Sequence, residues 1–298
     1  MYYYYRIQSM ERIAESELII NGDGTIFHLH LKPEDIADNI IVVGDPARVD
    51  MIAAYLDSLE FEKENREFKT ITGKYKDKRV TILSHGIGGG CIDIVATELD
   101  ALANIDFDSR TAKQEHRTLN IVRIGTCGGL QPSTPVGTYI CSDYSIGFDS
   151  LLNFYAKGAE VCDNLMSTQF VKHTGWINEC GKPYCIENSK QLIERIGKDD
   201  MVHGITCSAG GFYAPQGRVV RADLAMPQLN SLLQSFIYNS LQITNFEMEG
   251  AQLAGLAKIL GHNALTVCMV VANRFAKNVN TDYKASMEGL IKIVLERI

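Results

Sequence analysis

The amino-acid sequence predicts a single α/β domain with a mixed central β-sheet flanked by helices on both faces. Three observations carry this. Short β-branched runs alternate with stretches bearing an i, i+3, i+4, i+7 apolar stripe along most of the chain. The strand-like runs are continuously apolar, as in a sheet covered on both faces. The 298 residues suit one large domain or two small ones, and no interdomain linker or internal repeat divides them.

The elements follow in chain order. Residues 40–43, Ile-Ile-Val-Val, form a strand closed by Gly44. Asp45 and Pro46 are a good N-cap and a good first helical residue, and the helix buries Val49, Ile52, Ala53 and Leu56. Residues 79–83 give a second strand, feeding the glycine-rich Gly86-Ile-Gly-Gly-Gly90 and a helix with Ile92, Val95, Leu99 and Leu102 on its buried stripe. Residues 119–124 are a strand followed by a glycine loop at 125–129, and residues 202–207 a further strand. Glu247-Met-Glu-Gly250 leads into a helix with Leu253, Leu256, Ile259 and Leu260 on one face and Gly261 as C-cap. Residues 265–271 form a fully buried strand and 287–298 a closing helix. Residues 106–116 and 158–183 are weakly patterned and are expected to be surface excursions.

Composition narrows the function. With 36 acids against 29 bases the net charge is −7, so a general nucleic-acid surface is not expected, and an anionic ligand must meet local arginines. The most apolar run, residues 264–272, falls far short of the roughly 20 residues a membrane helix needs. Residues 1–6 hold four tyrosines and no apolar core of a signal peptide, so a cytoplasmic location is expected. Eight cysteines without a C-x-x-C, and histidines without H-x-x-x-H spacing, read as reduced thiols and no metal site.

Ligands of such folds sit where loops leave the carboxyl ends of strands. Gly44-Asp-Pro-Ala-Arg48 sets free backbone N–H groups and a guanidinium at a helix start, which suits an anion, or is simply a tight turn with an outward arginine. Gly86-Ile-Gly-Gly-Gly90 is no dinucleotide fingerprint, because Cys91 fills the sixth position. Arg123 lies inside an apolar strand and needs an anion or an internal carboxylate. Phe212-Tyr-Ala-Pro-Gln-Gly-Arg218 sets an amide and a guanidinium two residues apart, able to read a heterocycle with carbonyls and an imide N–H, or to be a Pro-Gly surface turn. Glu247 and Glu249 at a helix start could answer the dipole or hold vicinal hydroxyls.

Taken together, Phe27-His-Leu, Val43-Gly-Asp-Pro-Ala-Arg48, Arg66-Glu-Phe68, Gly86-Ile-Gly-Gly89, Arg123-Ile-Gly-Thr126, Phe212-Tyr, Gln216-Gly-Arg218, Phe246-Glu-Met-Glu249 and Asn273-Arg274 resemble the nucleoside phosphorylase family, in particular its uridine phosphorylase branch. The resemblance runs from about Phe27 to the C-terminus and implies a nucleoside phosphorylase-like domain at 25–298 after an N-terminal extension, 1–24.

It also implies roles. Gly44, Arg48, Arg123 and Thr126 correspond to a phosphate site that Arg66 enters from a neighbouring subunit. Glu249 corresponds to the carboxylate on the ribose hydroxyls, with Met248 under the sugar, Glu247 nearby, and the neighbour's His28 on the 5′-hydroxyl. Gln216 and Arg218 correspond to the pair that reads uracil, Phe212 stacks on it, and Cys127, Gly128, Val271 and Ala272 complete the base pocket. Arg218, Gln216, Arg123 and Glu249 are the expected catalytic group.

The implied reaction is reversible phosphorolysis of uridine, in nucleoside salvage or breakdown, with inorganic phosphate as co-substrate and no cofactor or metal. The implied assembly is a homodimer or homohexamer sharing its sites. Purine-cleaving relatives generally carry an aspartate after the last core strand, where this chain reads Val270-Val-Ala-Asn-Arg274. The sequence also departs from the family. Cys127 replaces a usual threonine, Ser208-Ala-Gly-Gly211 a commoner Ser-Ser-Asp-Thr, and Cys91 a serine that elsewhere helps bind a monovalent cation, so that ion is not expected. The alternatives are a purine or methylthioadenosine phosphorylase, a nucleosidase using water, or a non-catalytic nucleoside-binding protein on the same scaffold.

Overall fold

A computed structural model describes residues 11–298. The tyrosine-rich residues 1–6, and with them part of the expected extension, lie outside the described residues. From residue 11 onward that segment contacts the domain: Ile13 N–H donates to Arg110 O at 2.8 Å and Arg110 Nε to Ile13 O at 2.9 Å.

In chain order the elements are β1 (Asn39–Val43), α1 (Pro46–Ala53), β2 (Ser58–Asn65), β3 (Phe68–Tyr75), β4 (Lys78–Ser84), α2 (Gly89–Asn104), β5 (Ile105–Asp106), β6 (Thr111–Ala112), β7 (Asn120–Gly129) and β8 (Tyr139–Gly147). They continue with α3 (Gly158–Val161), α4 (Asn164–Thr174), β9 (Tyr184–Glu187), α5 (Lys190–Ile196), β10 (Val202–Ser208), α6 (Leu229–Ser235), β11 (Ile237–Tyr238), β12 (Leu241–Glu247), α7 (Gly250–Leu260), β13 (Asn263–Asn273), β14 (Asn278–Val279) and α8 (Lys284–Arg297).

The main sheet runs β11-β12-β10-β8-β13-β7-β1-β4-β3-β2. Its pairings are mixed: β7 lies parallel to β1 and β13, while β13 and β8 are antiparallel. The sheet also closes on itself. The end of β7 turns away and pairs antiparallel with β12, Phe246 opposite Gly128 and Asn245 opposite Gly129. β7, β13, β8, β10 and β12 therefore make a ring, and its closing pair carries the residues of greatest chemical interest.

Both faces are covered, as the continuous apolar strands require. Ile92, Val95, Leu99 and Leu102 of α2 pack with Leu253 and Leu256 of α7 on one side. Val49 and Ile52 of α1, Leu192 of α5, and Leu290 and Val294 of α8 pack on the other. Asp45 caps α1 through Ala47 N–H at 3.0 Å, and Gly261 ends α7 with a φ of 82°.

Three expectations need correction. Leu56 lies beyond the end of α1, where the chain turns, though it still packs on the core beneath that helix. Residues 125–129 are strand, not loop, because β13 and β12 pair with them on either side. Residues 158–183 are more than a surface excursion: α4 buries Met166 and Phe170 in a third cluster with Phe148 and Phe246.

Candidate active site

A cleft of about 1160 Å³ opens at the C-terminal ends of β1, β4, β7, β10, β12 and β13. One end holds Gly44, Arg48 and Thr126, and the middle Arg123 with Glu247, Met248 and Glu249. The far end holds Phe212, Gln216 and Arg218 beside Cys127, Gly128, Val271 and Ala272. Thus the cleft brings together all the expected site residues except His28 and Arg66.

Those two lie elsewhere, and they lie together. Arg66 is exposed on the turn between β2 and β3, with a φ of 56°. The adjacent Asn65 donates through Nδ2 to His28 O at 2.7 Å.

Arg123 organises the middle of the cleft. Its guanidinium folds back along β7 over Gly125, where a Cβ would sit 2.5 Å from Nη1, so no larger residue leaves this path open. Nη1 meets Glu247 Oε2 at 2.9 Å and donates to Cys268 Sγ at 3.7 Å, while Nη2 pairs with Glu249 Oε2. Burial pulls the Arg123 pKa down, but Glu249 and Glu247 outweigh it and raise the pKa above the ordinary value. Burial raises that of Glu249, with Glu247 adding to the rise. The internal carboxylates required of a buried arginine are therefore present.

The two acids are not equivalent. Glu247 accepts from Ser208 Oγ, from Glu249 N–H at 2.8 Å and from Gly250 N–H at 2.8 and 3.0 Å, besides Arg123. Glu249 accepts from Gly88 N–H at 2.7 Å on one oxygen and from Arg123 on the other. A carboxylate offers about four lone-pair positions, so Glu249 keeps room for further donors and Glu247 keeps little.

Arg48 is different again. It is 6% exposed in the first turn of α1, donates to Ile124 O at 3.3 Å, and joins no carboxylate ion pair among the described residues. Burial lowers its pKa, and Arg123 lowers it further. Tyr283 and Asp45 oppose the fall, and a buried guanidinium without an ion-paired acid has the chemistry to hold an anion.

At the far end Arg218 Nη1 donates to Gln216 Oε1 at 2.6 Å and to Phe212 O, and the guanidinium lies 3.7 Å over the Phe212 ring. One face of Phe212 is thereby taken by Arg218. Gln216 Oε1 is oriented by this donor, and its own backbone oxygen accepts from Arg274 Nη2 at 2.7 Å. Partial burial, and Arg274 nearby, bring the Arg218 pKa down to about 10.

Sequence reasoning missed several members. Arg274 stood in a matching segment without a role, yet it lines the cleft beside Gln216. Glu67 likewise stood in a matching segment without a role, while Lys277 lines the cleft with no signal in the sequence. His85, fully buried just past β4, has neither ring nitrogen in a hydrogen bond; burial, then Arg123 and Arg48, push its pKa well below the ordinary value. The argument applied to Arg123, a polar residue at an apolar strand end before a glycine, would have found it. Asn273 also lines the cleft, but its amide is spent on Gln131 O, Thr134 O and Ala276 N–H at 2.7–3.0 Å.

Among the described residues one trio has the spacing of metal ligands: Asp100, His116 and His262. Leu119 N–H donates to His262 Nδ1 at 3.2 Å, which puts the neutral ring's proton on Nε2, facing Asp100 Oδ1 at 3.2 Å. A ligating nitrogen needs the opposite arrangement, so the spacing of the trio does not by itself make a metal site.

Comparison with known proteins fits this geometry. The family model described as the phosphorylase superfamily matches residues 38–296. In three dimensions the chain is similar to a Trypanosoma brucei nucleoside phosphorylase whose crystal structure is described as showing uridine phosphorylase activity. The TM-score is 0.85 at 30% identity, covering 94% of this chain and 98% of that one. In sequence it is 29% identical to the uridine phosphorylase of Thermococcus kodakarensis, over 89% of this chain and 83% of that protein. It is 26% identical to the DeoD-type purine nucleoside phosphorylase of Tolumonas auensis, over 91% and 97%.

Proposed function

The chain belongs to the phosphorylase superfamily, and from that premise we propose that it is a uridine phosphorylase, a pentosyltransferase that reversibly converts uridine and phosphate to uracil and ribose 1-phosphate. One observation carries the reading: a single cleft holds, at one end, a buried arginine without an acid partner and, at the other, the Gln216–Arg218 pair.

Phosphate lies against Arg48, Arg123, Thr126 and the backbone at Gly44, as nucleophile and as countercharge to an oxocarbenium-like sugar. Glu249 accepts from the ribose hydroxyls through its remaining lone pairs, with Met248 beneath the ring. Glu247 acts on the sugar through Arg123 and the start of α7. As the C–N bond breaks, negative charge moves onto the base, and N–H donors of Arg218 and Gln216 stabilise it there. No organic cofactor or metal enters the scheme. Asn273, with its amide committed to three backbone groups, offers no acid for a purine N7.

His28 and Arg66 are joined through Asn65 and do not line their own chain's cleft. In this proposal they complete a neighbour's site, so the active form is a homodimer or homohexamer, working in cytoplasmic pyrimidine nucleoside metabolism.

The test is base release from uridine, thymidine, inosine and adenosine, each with and without phosphate. Phosphate-dependent uracil release, with little from the purines, is expected. Purine release would overturn the base assignment, release without phosphate would make the protein a hydrolase, and no release would favour a binding protein.

A further inference from the structure

His28 is held in an unusually complete way, and the group that holds it is absent from every site assignment above. Glu98 on α2 has a side chain only 10% exposed. Its carboxylate accepts from the backbone N–H of His28 at 3.1 Å, from that of Leu29 at 2.9 Å, and faces His28 Nδ1 at 2.6 Å. From the other side Asn65 holds the His28 carbonyl, and the ring packs edge-on to Phe27 and Phe68, with centroids 4.7 and 6.4 Å away. Nε2 has no hydrogen-bond partner among the described residues, and the side chain is 27% exposed.

We propose that Glu98 is the positioning residue that fixes the tautomer of His28, and thereby makes the protein select nucleosides with a free 5′-hydroxyl. An ionised carboxylate only accepts, so at 2.6 Å the proton sits on Nδ1. The neutral ring then presents Nε2 as a bare acceptor to whatever lies beyond it. A 5′-hydroxyl can donate to that nitrogen, whereas a 5′-deoxy sugar offers it nothing. This rests on the reading that His28 reaches the 5′ end of a nucleoside bound by a neighbouring copy.

Glu98→Gln separates positioning from folding. The amide oxygen, placed where Oε2 now lies, still serves both backbone N–H groups. The amide nitrogen then faces Nδ1 as a donor, so the ring must move its proton to Nε2.

The experiment compares kcat/KM on uridine and 5′-deoxyuridine for wild type, E98Q, H28A and the double variant, with 15N-histidine labelling to read the ring protons. Wild type should prefer uridine by roughly tenfold, E98Q by no more than about threefold, the scale of one hydrogen bond. The double variant should match H28A, and turnover of 5′-deoxyuridine by E98Q should stay level, since an unfolded variant would lose both substrates. The label should show Nδ1–H in wild type and Nε2–H in E98Q.

An unchanged preference in E98Q, or an unchanged tautomer, overturns the proposal. A wild type indifferent to the 5′-hydroxyl overturns it together with the role of His28. Turnover of purine nucleosides alone would defeat the uridine reading instead, and the ratio is then taken with inosine and 5′-deoxyinosine. If no nucleoside is turned over, the labelled ring decides.

Discussion

The two ends of the cleft are held by different kinds of contact. Arg123 reaches Glu249, 126 positions away, and Cys268, 145 away, while Glu249 is capped by Gly88, 161 positions before it. Arg123 and Cys268 lie on β7 and β13 of the closed ring, Glu249 at the start of α7 and Gly88 at the start of α2. The Gln216–Arg218 end is local. Arg218 bonds Gln216, two positions back, and Phe212, six back, in a loop where Phe212 is 50% exposed. Its tie to the rest of the cleft is Arg274 on the Gln216 carbonyl. The Arg123 end is thus part of the fold, while the Gln216–Arg218 end rests on a short local segment.

The largest effect should come from breaking the buried end. Arg123→Met leaves Glu247 and Glu249 side by side without their cation, and should cost about 3–5 kcal/mol of stability by urea unfolding, with activity lost. A variant within about 1 kcal/mol of wild type would erase the contrast. At the other end Arg218→Ala should lower kcat/KM for uridine by an equivalent of about 2–4 kcal/mol, with unfolding free energy moved by under about 0.5 kcal/mol. A loss below tenfold would remove Arg218 from the reaction.

Gly125→Ala sharpens the comparison inside the buried end. Its Cβ would lie 2.5 Å from Arg123 Nη1 and 3.0 Å from Cys268 Sγ. Overpacking should cost about 1–3 kcal/mol, and a crystal structure should show the guanidinium displaced; an undisturbed Arg123 would refute the need for glycine. The smallest effect concerns His85, which is neutral in the fold and takes a proton once unfolded. The unfolded chain binds the extra proton, so stability should fall as pH drops below about 6.5, by up to about 1.4 kcal/mol per unit. Chemical denaturation of wild type and His85→Asn from pH 7 to 5 measures it, and equal slopes would exclude the histidine as the cause.

Legibility in the sequence followed the same division. Helices α1, α2 and α7 are readable because their stripes and caps are local; Gln216 and Arg218, two residues apart, read equally as a surface turn until the family resemblance singles them out. The end of β7 was misread because glycines carry no strand signal of their own, and only pairing with β12 and β13 makes them strand. α4 was passed over because its mean hydropathy is near neutral and three buried residues, Met166, Phe170 and Thr174, decide its packing. Arg123 announced that it needed an acid, but spacing along the chain could not say which one. Glu98 gave no signal at all, since an acid in an amphipathic helix usually means a solvated face.

The antiparallel pairing of β7 with β12 also bears on how the protein is made. Synthesis at about 5–20 residues per second leaves roughly ten seconds between Arg123 and the two glutamates leaving the ribosome. Until then β7 lacks both β12 and β13, and its arginine has no acid to meet away from water. A chain released early, before residue 241, carries Arg48 and Arg123 but neither acid, and cannot close the ring. Interrupted translation therefore yields no partly competent protein: the cleft exists only once the chain extends from Gly44 through Val279.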